Sequence, residues 1–475
     1  MTVRTEWLTG AEREAVYGQA LTLLEEVGMR MKGAAVLERL RAAGAEVDDA
    51  GTVRLPAALV ERAVAACPRE LLMAGETPEQ DVLLDGSRTF FNVSGCAAKT
   101  LDQESGVVRP STLDDLRDGT VVLDATPELD VVWTFLTATD VPLERRELVE
   151  YYTYLTETSK PVVFVDCPES TAHVRRIFEI VSGDLARFKA RPRLSLLCAA
   201  RSPLEVNGQL LDVACEFAAL GAPVWAYSMP IAGATAPVTP AGTLALLWAE
   251  VLGVLTAVQT AVPGAPVLAC CGPGILDMHS TAMSLGNLES TLMGAASVEI
   301  GHHLGLPVHN AALSTDAKHL GLQAGYEKGL KVMAAVATGV DICSGGFGFL
   351  DSSSTFSLRM IPVDAEIAAM ATRIARGIEI TPETLMGGSI ADVGIAGDFL
   401  REKETRRRVR AGEHFVPRIG SRLPFEQWIA AGRTEADMAD DLVRAALAAR
   451  EERGPRLTDD QRRALAEVCE VTITE

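Results

Sequence analysis

The chain has 475 residues, which fits one large domain with extensions or two to three ordinary domains, and its 48% apolar residues are ample for a buried core. Its formal net charge of −20 argues against a sequence-independent nucleic-acid surface and is typical of a cytoplasmic enzyme with solvated surface carboxylates. The opening residues MTVRTEWLTG contain no apolar signal core, which also favours the cytoplasm.

The first part of the chain, residues 1–87, predicts a small helical cap. Residues 11–28 place apolar side chains on one helical face, with Gly28 as the stop. A second helix is predicted over 34–43, and a third ends near Ala66. Short β-like pieces lie around 53–55. The spacing of the charged residues in this part predicts no functional site.

From about residue 88, eight short apolar runs alternate with helical patterns. The runs are 89–93, 131–137, 161–166, 194–199, 224–229, 267–271, 308–312 and 340–343. The helical segments are 112–125, 144–158, 170–183, 205–220, 240–260, 285–304, 321–338 and 357–376. This count and length are typical of an α/β fold, a (β/α)₈ TIM barrel, which we predict over 88–376. A doubly wound open sheet is the alternative, although no GxGxxG follows the first strand.

Two regions of the sequence have more than one interpretation. The longest apolar stretch, 241–262, contains Glu250 and Gln259, so we predict a buried helix there and no membrane span. Beyond 376 the alternation stops, and 377–475 predicts a C-terminal helical extension with amphipathic helices over 435–450 and 458–470. A basic cluster in it is either a solvated helix face or a docking surface for an acidic partner; its members are Arg406, Arg407, Arg408 and Arg410.

In a barrel of this kind the active-site residues follow the strands. The segments concerned are 92–95, 137–140, 166–168, 200–202, 228–230, 272–274, 311–314 and 344–349. They are poor in strong acids and bases, offering only Asp140, Asp166 and Arg201. Aromatic residues lie in or near them: Phe91, Trp133, Phe135, Tyr227, Phe347, Phe349 and Phe356. Aromatic faces attract quaternary ammonium groups, so the pattern suits a cationic substrate that needs no proton transfer; the alternative is that these rings are core residues.

No metal site is predicted. The pair His302 and His303 closes a helix, where positive charge favours the helix dipole. A zinc site with the adjacent Cys270 and Cys271 is disfavoured, because neighbouring ligands rarely reach one tetrahedron. His309 is either a core histidine or an inward-pointing pocket residue. The nine cysteines show no CxxC spacing, which indicates reduced thiols, and GxSxG, HExxH and P-loop motifs are absent from the sequence.

The segment 306–366 carries STDAKHLGLQAGYEK, SGGFGFLDSSSTFS and VDAEI. Together with ALTLLEEVGMRMKGAAVLERLRAAGAEVD, VRPSTLDDL, VTPAGTLALLWAEVLG and FEQWIAAGRTEADM, these motifs resemble the trimethylamine methyltransferase (MttB-like) family over nearly the whole chain. The resemblance implies a (β/α)₈ barrel, in agreement with the strand count. The founding archaeal trimethylamine enzymes use pyrrolysine. This chain contains only the twenty standard residues, so it resembles non-pyrrolysine relatives that act on quaternary amines such as glycine betaine.

The resemblance further implies transfer of a methyl group from a small quaternary amine to the Co(I) corrinoid (cobalamin) of a partner corrinoid protein, with no cofactor bound by this chain itself. Such a reaction releases a neutral tertiary amine and needs no general acid, and cobalt supplies the nucleophile. A betaine carboxylate would require a cation or backbone N–H groups, for which Lys318, Arg359, His309 and the glycine-rich turn with Gly345 and Gly346 are candidates. Each candidate also has a structural interpretation: a surface lysine, a helix-face ion pair, a core histidine and a tight turn.

Two other functions remain open: a non-catalytic quaternary-amine-binding or sensing protein, and a direct tetrahydrofolate-dependent demethylase. The substrate-binding set predicted from the sequence comprises Phe91, Trp133, Tyr227, His309, Phe347, Phe349, Phe356, Lys318, Arg359, Gly345 and Gly346. No catalytic residue is assigned. We expect a homo-oligomer that binds neither nucleic acid nor a membrane.

Overall fold

A computed structural model describes residues 4–165 and 171–471. Its centre is a barrel of eight parallel strands surrounded by eight helices. The strands are β1 (Phe90–Val93), β2 (Val131–Trp133), β3 (Val162–Val165), β4 (Leu194–Arg201), β5 (Val224–Ser228), β6 (Val267–Cys271), β7 (Val308–Ala311) and β8 (Ile342–Ser344). The helices are α1 (Leu113–Ala125), α2 (Leu143–Glu157), α3 (Thr171–Ser182), α4 (Gly208–Leu220), α5 (Pro240–Ala261), α6 (Leu288–His303), α7 (Leu322–Thr338) and α8 (Met360–Ala375).

The barrel is closed, because every strand pairs with two neighbours. The sheet runs in chain order from β1 to β8, and β8 returns to β1 with Ile342 opposite Phe90. The pairing of β3 with β4, with Val162 opposite Leu194, completes the ring. Closure confirms the TIM barrel and excludes the doubly wound sheet. Each of the eight predicted strands and eight predicted helices overlaps an observed one.

The barrel helices begin where the sequence supplies caps. Thr112 caps α1 by accepting from the backbone N–H of Asp115, whose side chain accepts in return. The motif VRPSTLDDL is therefore largely a capping box. Thr239 caps α5, with Pro240 in the first turn. Helix α5 is long and apolar enough to cross a membrane, but 89% of its most apolar window is buried inside the protein, which confirms the predicted core helix.

The segment before the barrel holds short strands as well as helices, and its first helices pack against α5. Its helices are Gly10–Thr22, Leu23–Val27 (π), Ala34–Ala42, Ala57–Ala66 and Pro78–Gln80 (3₁₀). Its strands are Met29–Arg30, Glu46–Val47, Thr52–Arg54, Leu71–Met73 and Val82–Leu84. The domain boundaries 1–87, 88–376 and 377–475 remain a prediction.

Two small sheets lie beyond the carboxyl ends of the barrel strands. One contains Ile231–Ala232, Gly274–Leu276 and Met283–Ser284. The other contains Phe349–Leu350, Thr355–Phe356, Lys99–Leu101 and Val108–Pro110. A further short strand, Glu205–Val206, extends β4 towards the N-terminal segment, and a short helix, Leu185–Ala190, follows α3. The two small sheets surround the carboxyl-end opening of the barrel, which we call the mouth.

After α8 the chain continues in six further helices within the described residues. These are Pro382–Leu385, Gly387–Val393, Lys403–Arg410, Phe425–Ala431, Glu435–Arg453 and Asp459–Val468. The long helix Glu435–Arg453 packs against α1 and α8. Its Arg450 pairs with Glu157 of α2 at 2.7 Å, which ties the end of the chain to the barrel.

A fully buried ion pair joins the last two barrel helices. The Nζ of Lys328 in α7 lies 2.8 Å from both carboxylate oxygens of Asp364 in α8, and neither side chain is exposed. Lys328 also donates to Gly346 O at 2.8 Å, and the Gly348 N–H donates to Asp364 at 2.8 Å. Burial raises the pKa of Asp364 to about 6, although Lys328 opposes that shift. The pair therefore fixes the turn that follows β8.

Removing one partner of this pair should be costly, because it leaves the other buried without compensation. We expect Lys328→Met to lower the free energy of unfolding by about 3–5 kcal/mol, measured by urea denaturation. The matched control is Arg463→Met, which breaks the exposed ion pair between Arg463 and Asp460 and should cost about 0–1 kcal/mol. Equal losses in the two variants would contradict a structural role for the buried pair.

Candidate functional site

A cavity of about 390 Å³ opens at the mouth of the barrel, a size typical of small-molecule sites. Most of its wall comes from the ends of the strands and the loops after them. The lining residues are Ser94, Gly95, Cys96, Trp133, Val165, Leu197, Ala199, Tyr227, Met229, Gly272, Pro273, Met283, Leu285, Ala311, Ser314, Gly345, Ser352, Ser353 and Ser354. Among these described residues no Asp, Glu, Lys, Arg or His side chain lines the wall. The surface presented to a ligand is apolar, aromatic and hydroxylic.

Two aromatic rings form one side of the cavity. Trp133 ends β2 and Tyr227 lies near the end of β5, and their rings meet edge to face at 6.0 Å. Below them, Trp133 stacks on His309 at 6.0 Å and meets Trp225 edge to face at 5.5 Å. Trp225 donates its indole N–H to Ser195 at 3.1 Å, so its orientation is fixed. The two wall rings therefore rest on a packed floor and are preorganised.

Hydroxyl groups connect the buried floor to the cavity. His309 Nε2 hydrogen-bonds to the Ser344 hydroxyl, which lies 3.1 Å from the hydroxyl of Ser94 on the wall. The other ring nitrogen, Nδ1, is buried without a partner. Burial lowers the pKa of His309 to about 3, so the ring is neutral near pH 7. We assign its proton to Nε2, since an N–H donor left unpaired at Nδ1 would be costly.

With the proton on Nε2, the chain of hydrogen bonds from His309 through Ser344 to Ser94 has a direction. The His309 ring donates to Ser344, and Ser344 can then donate to Ser94. The Ser94 hydroxyl is left as a donor facing the cavity. A neutral histidine thus orients a wall hydroxyl without placing a charge in the site.

The carboxylate of Asp316 joins three loops around the mouth. It accepts from the Leu285 and Gly286 N–H groups at 3.0 Å each and from the hydroxyls of Ser284 and Ser352. Ser284, Leu285 and Gly286 belong to the loop after β6, Asp316 itself to the loop after β7, and Ser352 to the loop after β8. Burial favours its protonated form, but the hydrogen bonds from Ser284, Ser352 and the backbone hold the pKa of Asp316 below its usual range. The ionised carboxylate therefore fixes the loops that carry much of the wall.

The glycine-rich turn after β8 approaches the loop after β7 closely. A Cβ on Gly346 would lie 1.9 Å from the carbonyl oxygen of Leu313, so only glycine fits there. Gly345 adopts φ +96°, and its Cβ position lies 3.0 Å from the Ser314 hydroxyl. Since Ser314 also donates to Gly345 O at 2.8 Å, the turn and the neighbouring loop form one continuous wall.

The structure brings some of the predicted binding residues together at the cavity. Trp133, Tyr227 and Gly345 line the wall, and His309 lies in the floor beneath the rings. Gly346 supports the turn without lining the cavity. As substrate contacts, all of these remain predictions.

The other predicted aromatic residues lie elsewhere. Phe91 and Phe347 contact each other at 6.2 Å inside the core. Phe356 packs against Phe135 at 5.0 Å and Phe349 at 5.5 Å. The rings of this second group fit because neighbouring glycines make room for them: a Cβ on Gly95 would meet the Phe349 ring at 2.5 Å. These four rings are packed as core residues, which is the alternative considered for them from the sequence. They are Phe91, Phe347, Phe349 and Phe356.

The two candidate cations are also outside the cavity. Lys318 is mostly exposed and pairs with Asp351. Arg359 forms two hydrogen bonds to Asp440 of the C-terminal extension, at 2.8 and 2.7 Å. Each cation therefore already has a carboxylate partner, and neither lines the wall. A negatively charged group bound in the cavity would have to use hydroxyl and backbone donors.

The loops at the strand ends supply the wall largely as predicted. Wall residues fall in 92–95, 228–230, 272–274, 311–314 and 344–349. The segment 166–168, with Asp166, lies outside the described residues. Asp140 accepts from the Leu113 N–H at 2.9 Å at the start of α1, and Arg201 is exposed.

Some other wall residues, Met283 and Leu285 among them, were not identified from the sequence. Met283 and Leu285 come from a loop whose strands are only two or three residues long, too short for a periodic signal. The serines at 352–354 are presented by an unusual backbone, since Asp351, Ser352 and Ser353 all have positive φ. The motif LDSSSTFS shows the serines but not this conformation.

The histidines considered for zinc have other partners. His302 Nε2 lies 2.8 Å from Asp341, and His303 Nε2 lies 2.7 Å from Glu14. Cys270 and Cys271 are buried within β6. Within residues 4–165 and 171–471, no three His, Cys, Asp or Glu side chains are grouped to hold a metal ion.

A family model described as trimethylamine methyltransferase (MTTB) matches residues 2–471. The chain is 30% identical over 423 residues to the trimethylamine methyltransferase MttB of Desulfitobacterium hafniense (strain DSM 10664 / DCB-2), covering 89% of this chain and 85% of that protein. It is 28% identical over 425 residues to the glycine betaine methyltransferase of Desulfitobacterium hafniense (strain Y51), covering 89% and 88%.

A solved structure shares the fold. The crystal structure of the Methanosarcina barkeri monomethylamine methyltransferase (MtmB) superposes with a TM-score of 0.51 over 94% of this chain and 98% of that chain. The sequences are 11% identical over the match, so this likeness concerns the architecture alone.

The depressed pKa of His309 predicts a pH dependence of stability. An unfolded histidine binds a proton below about pH 6.5, whereas the folded one binds it only near pH 3. Stability is therefore lost as the pH falls between these values, at about 1.4 kcal/mol per pH unit. Between pH 7 and pH 5 we expect the wild type to lose about 2 kcal/mol more than His309→Gln in urea unfolding. His303→Gln, on the outer end of α6, should follow the wild type; equal losses in all three proteins would contradict the buried neutral ring.

Proposed function

The chain belongs to the trimethylamine methyltransferase family, and on that basis we propose that it transfers a methyl group from a small quaternary amine of the glycine betaine type to the Co(I) corrinoid of a partner protein in the cytoplasm. The choice of substrate rests on one observation: the cavity has two preorganised aromatic rings, and none of its described wall residues has a charged side chain.

The aromatic side suits a quaternary ammonium group. A desolvated cation over an aromatic face gains about 2 kcal/mol, and Trp133 and Tyr227 present two such faces at one side of the wall. Burial also raises the pKa of Tyr227, so its hydroxyl stays neutral. A quaternary ammonium has no N–H group, so it brings no donor that would be left unsatisfied against the rings.

The hydroxyl side suits the other end of a betaine. Ser94 and Ser353 line the same cavity and offer neutral hydroxyl donors, whereas the hydroxyls of Ser314, Ser352 and Ser354 already donate to Gly345 O, Asp316 and Asp351. Because the described wall carries no charge, a ligand whose own charges cancel leaves the least uncompensated charge when it is buried. This argument supports a zwitterion over a simple cation. The glycine betaine methyltransferase of Desulfitobacterium hafniense is a relative that matches 89% of this chain.

The proposed reaction breaks one N–CH₃ bond, leaving the electron pair on nitrogen and giving a neutral tertiary amine. When bound to its partner protein, the corrinoid supplies the nucleophile that accepts the methyl group. The rings hold the ammonium, and the serine side fixes the opposite end, so that one methyl group faces the mouth. Restricting the substrate to this orientation is the contribution of this chain and can supply several kcal/mol of the barrier. No group in the wall has to deliver a proton, in keeping with a neutral His309.

The direct test mixes the protein with a reduced Co(I) corrinoid and glycine betaine, proline betaine or carnitine in turn. We expect at least one of them to methylate the corrinoid, seen in its absorption spectrum, with one equivalent of demethylated amine found by mass spectrometry. Tight binding without transfer would instead favour a sensing protein. Transfer that requires tetrahydrofolate and no cobalt would favour a direct demethylase. Either result would overturn the proposal.

Within the proposed reaction, Trp133 should contribute to substrate binding. Loss of a cation–π contact worth about 2 kcal/mol corresponds to about a 30-fold loss in kcat/KM, so we expect Trp133→Leu to raise KM by roughly that factor. The matched control is Trp7→Leu, a partly exposed tryptophan of the N-terminal segment, which should leave kcat/KM within twofold. Thermal unfolding of both variants checks that the barrel remains intact. An unchanged KM in Trp133→Leu would contradict the aromatic binding wall.

A further inference from the structure

A second cavity, of about 410 Å³, lies at the end of the barrel opposite the mouth. We call it the arginine cavity, because Arg187, Arg191 and Arg193 line it. Arg193 directly precedes β4, whereas Ala199 of the same strand lies on the wall of the cavity at the mouth. Six residues of a β-strand span about 20 Å, so the two cavities are separate sites.

The local sequence brings the three arginines together. The short helix Leu185–Ala190 places Arg187 and Arg191 four residues apart, and the Arg191 N–H donates to Arg187 O at 2.9 Å. Residues at this spacing lie on the same face of a helix. Pro192 then ends the helical conformation and makes the chain extended, so Arg193 enters β4 at the edge of the same cavity.

Arg193 is buried without a partner for its charge. The residue is only 7% exposed, and its Nε and Nη2 are buried without a hydrogen-bond partner. Burial lowers the pKa of Arg193, and Glu76 opposes that shift. A guanidinium group nevertheless stays charged at neutral pH. Buried N–H groups of a charged side chain are costly when they have no acceptor, so the site lacks a hydrogen-bond acceptor.

The other charged residues around the cavity do not supply that acceptor. Arg191 donates to Asp81 at 2.6 Å, and Arg187 lies 3.5 Å from Asp184. Among the residues that the structure describes, no carboxylate forms an ion pair with Arg193. Glu76 is the single acidic residue of the described wall and is exposed. In a chain of net charge −20, a wall with three arginines and one carboxylate is a local site for an anion.

The rest of the wall suits a small organic anion. The hydroxyl of Ser182 is also buried without a hydrogen-bond partner, so a second donor accompanies Arg193. Val181 and Leu457 add apolar surface. The volume is in the range of small-molecule sites and exceeds what a bare ion requires.

We propose that the arginine cavity binds a small organic oxyanion, a carboxylate or a phosphate ester, with Arg193 as its principal ligand. The planar fork of a guanidinium group matches two oxygens of either anion and forms two parallel hydrogen bonds with them. Ser182 donates a further hydrogen bond, and Arg187 and Arg191 add positive charge. The site shares no residue with the cavity at the mouth, so this proposal does not depend on the proposed methyl transfer.

Binding at this position would connect three parts of the chain. Gly75 belongs to the segment before the barrel, Arg193 to the barrel, and Gln461 to the last helix, Asp459–Val468. Gln461 also donates to Ile180 O of α3 at 3.2 Å, which fixes that helix beside the cavity. A ligand held between these parts binds the folded protein alone and therefore stabilises it.

The first test is calorimetric titration of the full-length protein with inorganic phosphate and, separately, with succinate, at constant ionic strength. We expect saturable binding of at least one probe. Binding of phosphate alone identifies a phosphate ester as the natural class, and binding of succinate alone identifies a carboxylate. Arg193→Met should weaken the binding about 10- to 100-fold, because it removes charge-assisted hydrogen bonds.

Two further variants complete the titration. Arg187→Met removes a largely exposed charge of the same wall, so it should keep the fold and weaken binding about two- to fivefold. The matched control is Arg62→Met, which removes the same charge from an exposed position outside the cavity and should keep the wild-type affinity. Absence of saturable binding of both probes, or equal affinity in the wild type and Arg193→Met, would overturn the proposal.

Thermal unfolding separates a binding role of Arg193 from a structural one. Without an anion, Arg193→Met should keep or raise the Tm, because it removes a buried charge that has no partner and retains the apolar stem. With the probe that binds, the Tm of the wild type should rise and saturate, and the Tm of Arg193→Met should not. Exclusion of phosphate from protein surfaces raises both Tm values alike and does not saturate. Equal rises in the two proteins, or a large fall in Tm in Arg193→Met without an anion, would contradict the anion site.

Discussion

The hydrogen bonds received by the Asp316 carboxylate are the interaction on which the cavity depends. This one group holds the loop that follows β6, its own loop after β7 and the loop that follows β8. Those loops supply Met283, Leu285, Ser314 and the serines at 352–354, about a third of the wall. Because β6, β7 and β8 are neighbours in the sheet, the loops that follow them lie side by side, and one carboxylate can reach all three. The Lys328–Asp364 pair then fixes the neighbouring turn in the same way.

The sequence predicted the barrel well because each strand and helix has its own local signal. Short, mainly apolar segments marked all eight strands, and the helical patterns between them marked the helices. The wall was predicted at the level of loops, since strand ends converge in any such barrel. Individual contacts were harder. Arg359 looked available until Asp440, 81 residues away, supplied its partner, and strands of two or three residues such as Met283–Ser284 gave no periodic pattern.

The two ends of the barrel have different physical characters. At the mouth, neutral groups surround a cavity whose rings, hydroxyls and buried His309 carry no net charge. At the other end, residues 377–434 leave the barrel with large apolar side chains exposed.

The central claim is that the cavity binds a quaternary methylamine with its ammonium group on the aromatic side. A crystal structure of the protein with bound glycine betaine tests this most directly. The account predicts the methyl groups against Trp133 and Tyr227, one of them facing the mouth, and the carboxylate near Ser94 and the other wall serines. Betaine bound outside the cavity, or bound in it with its carboxylate against the rings, would contradict the account.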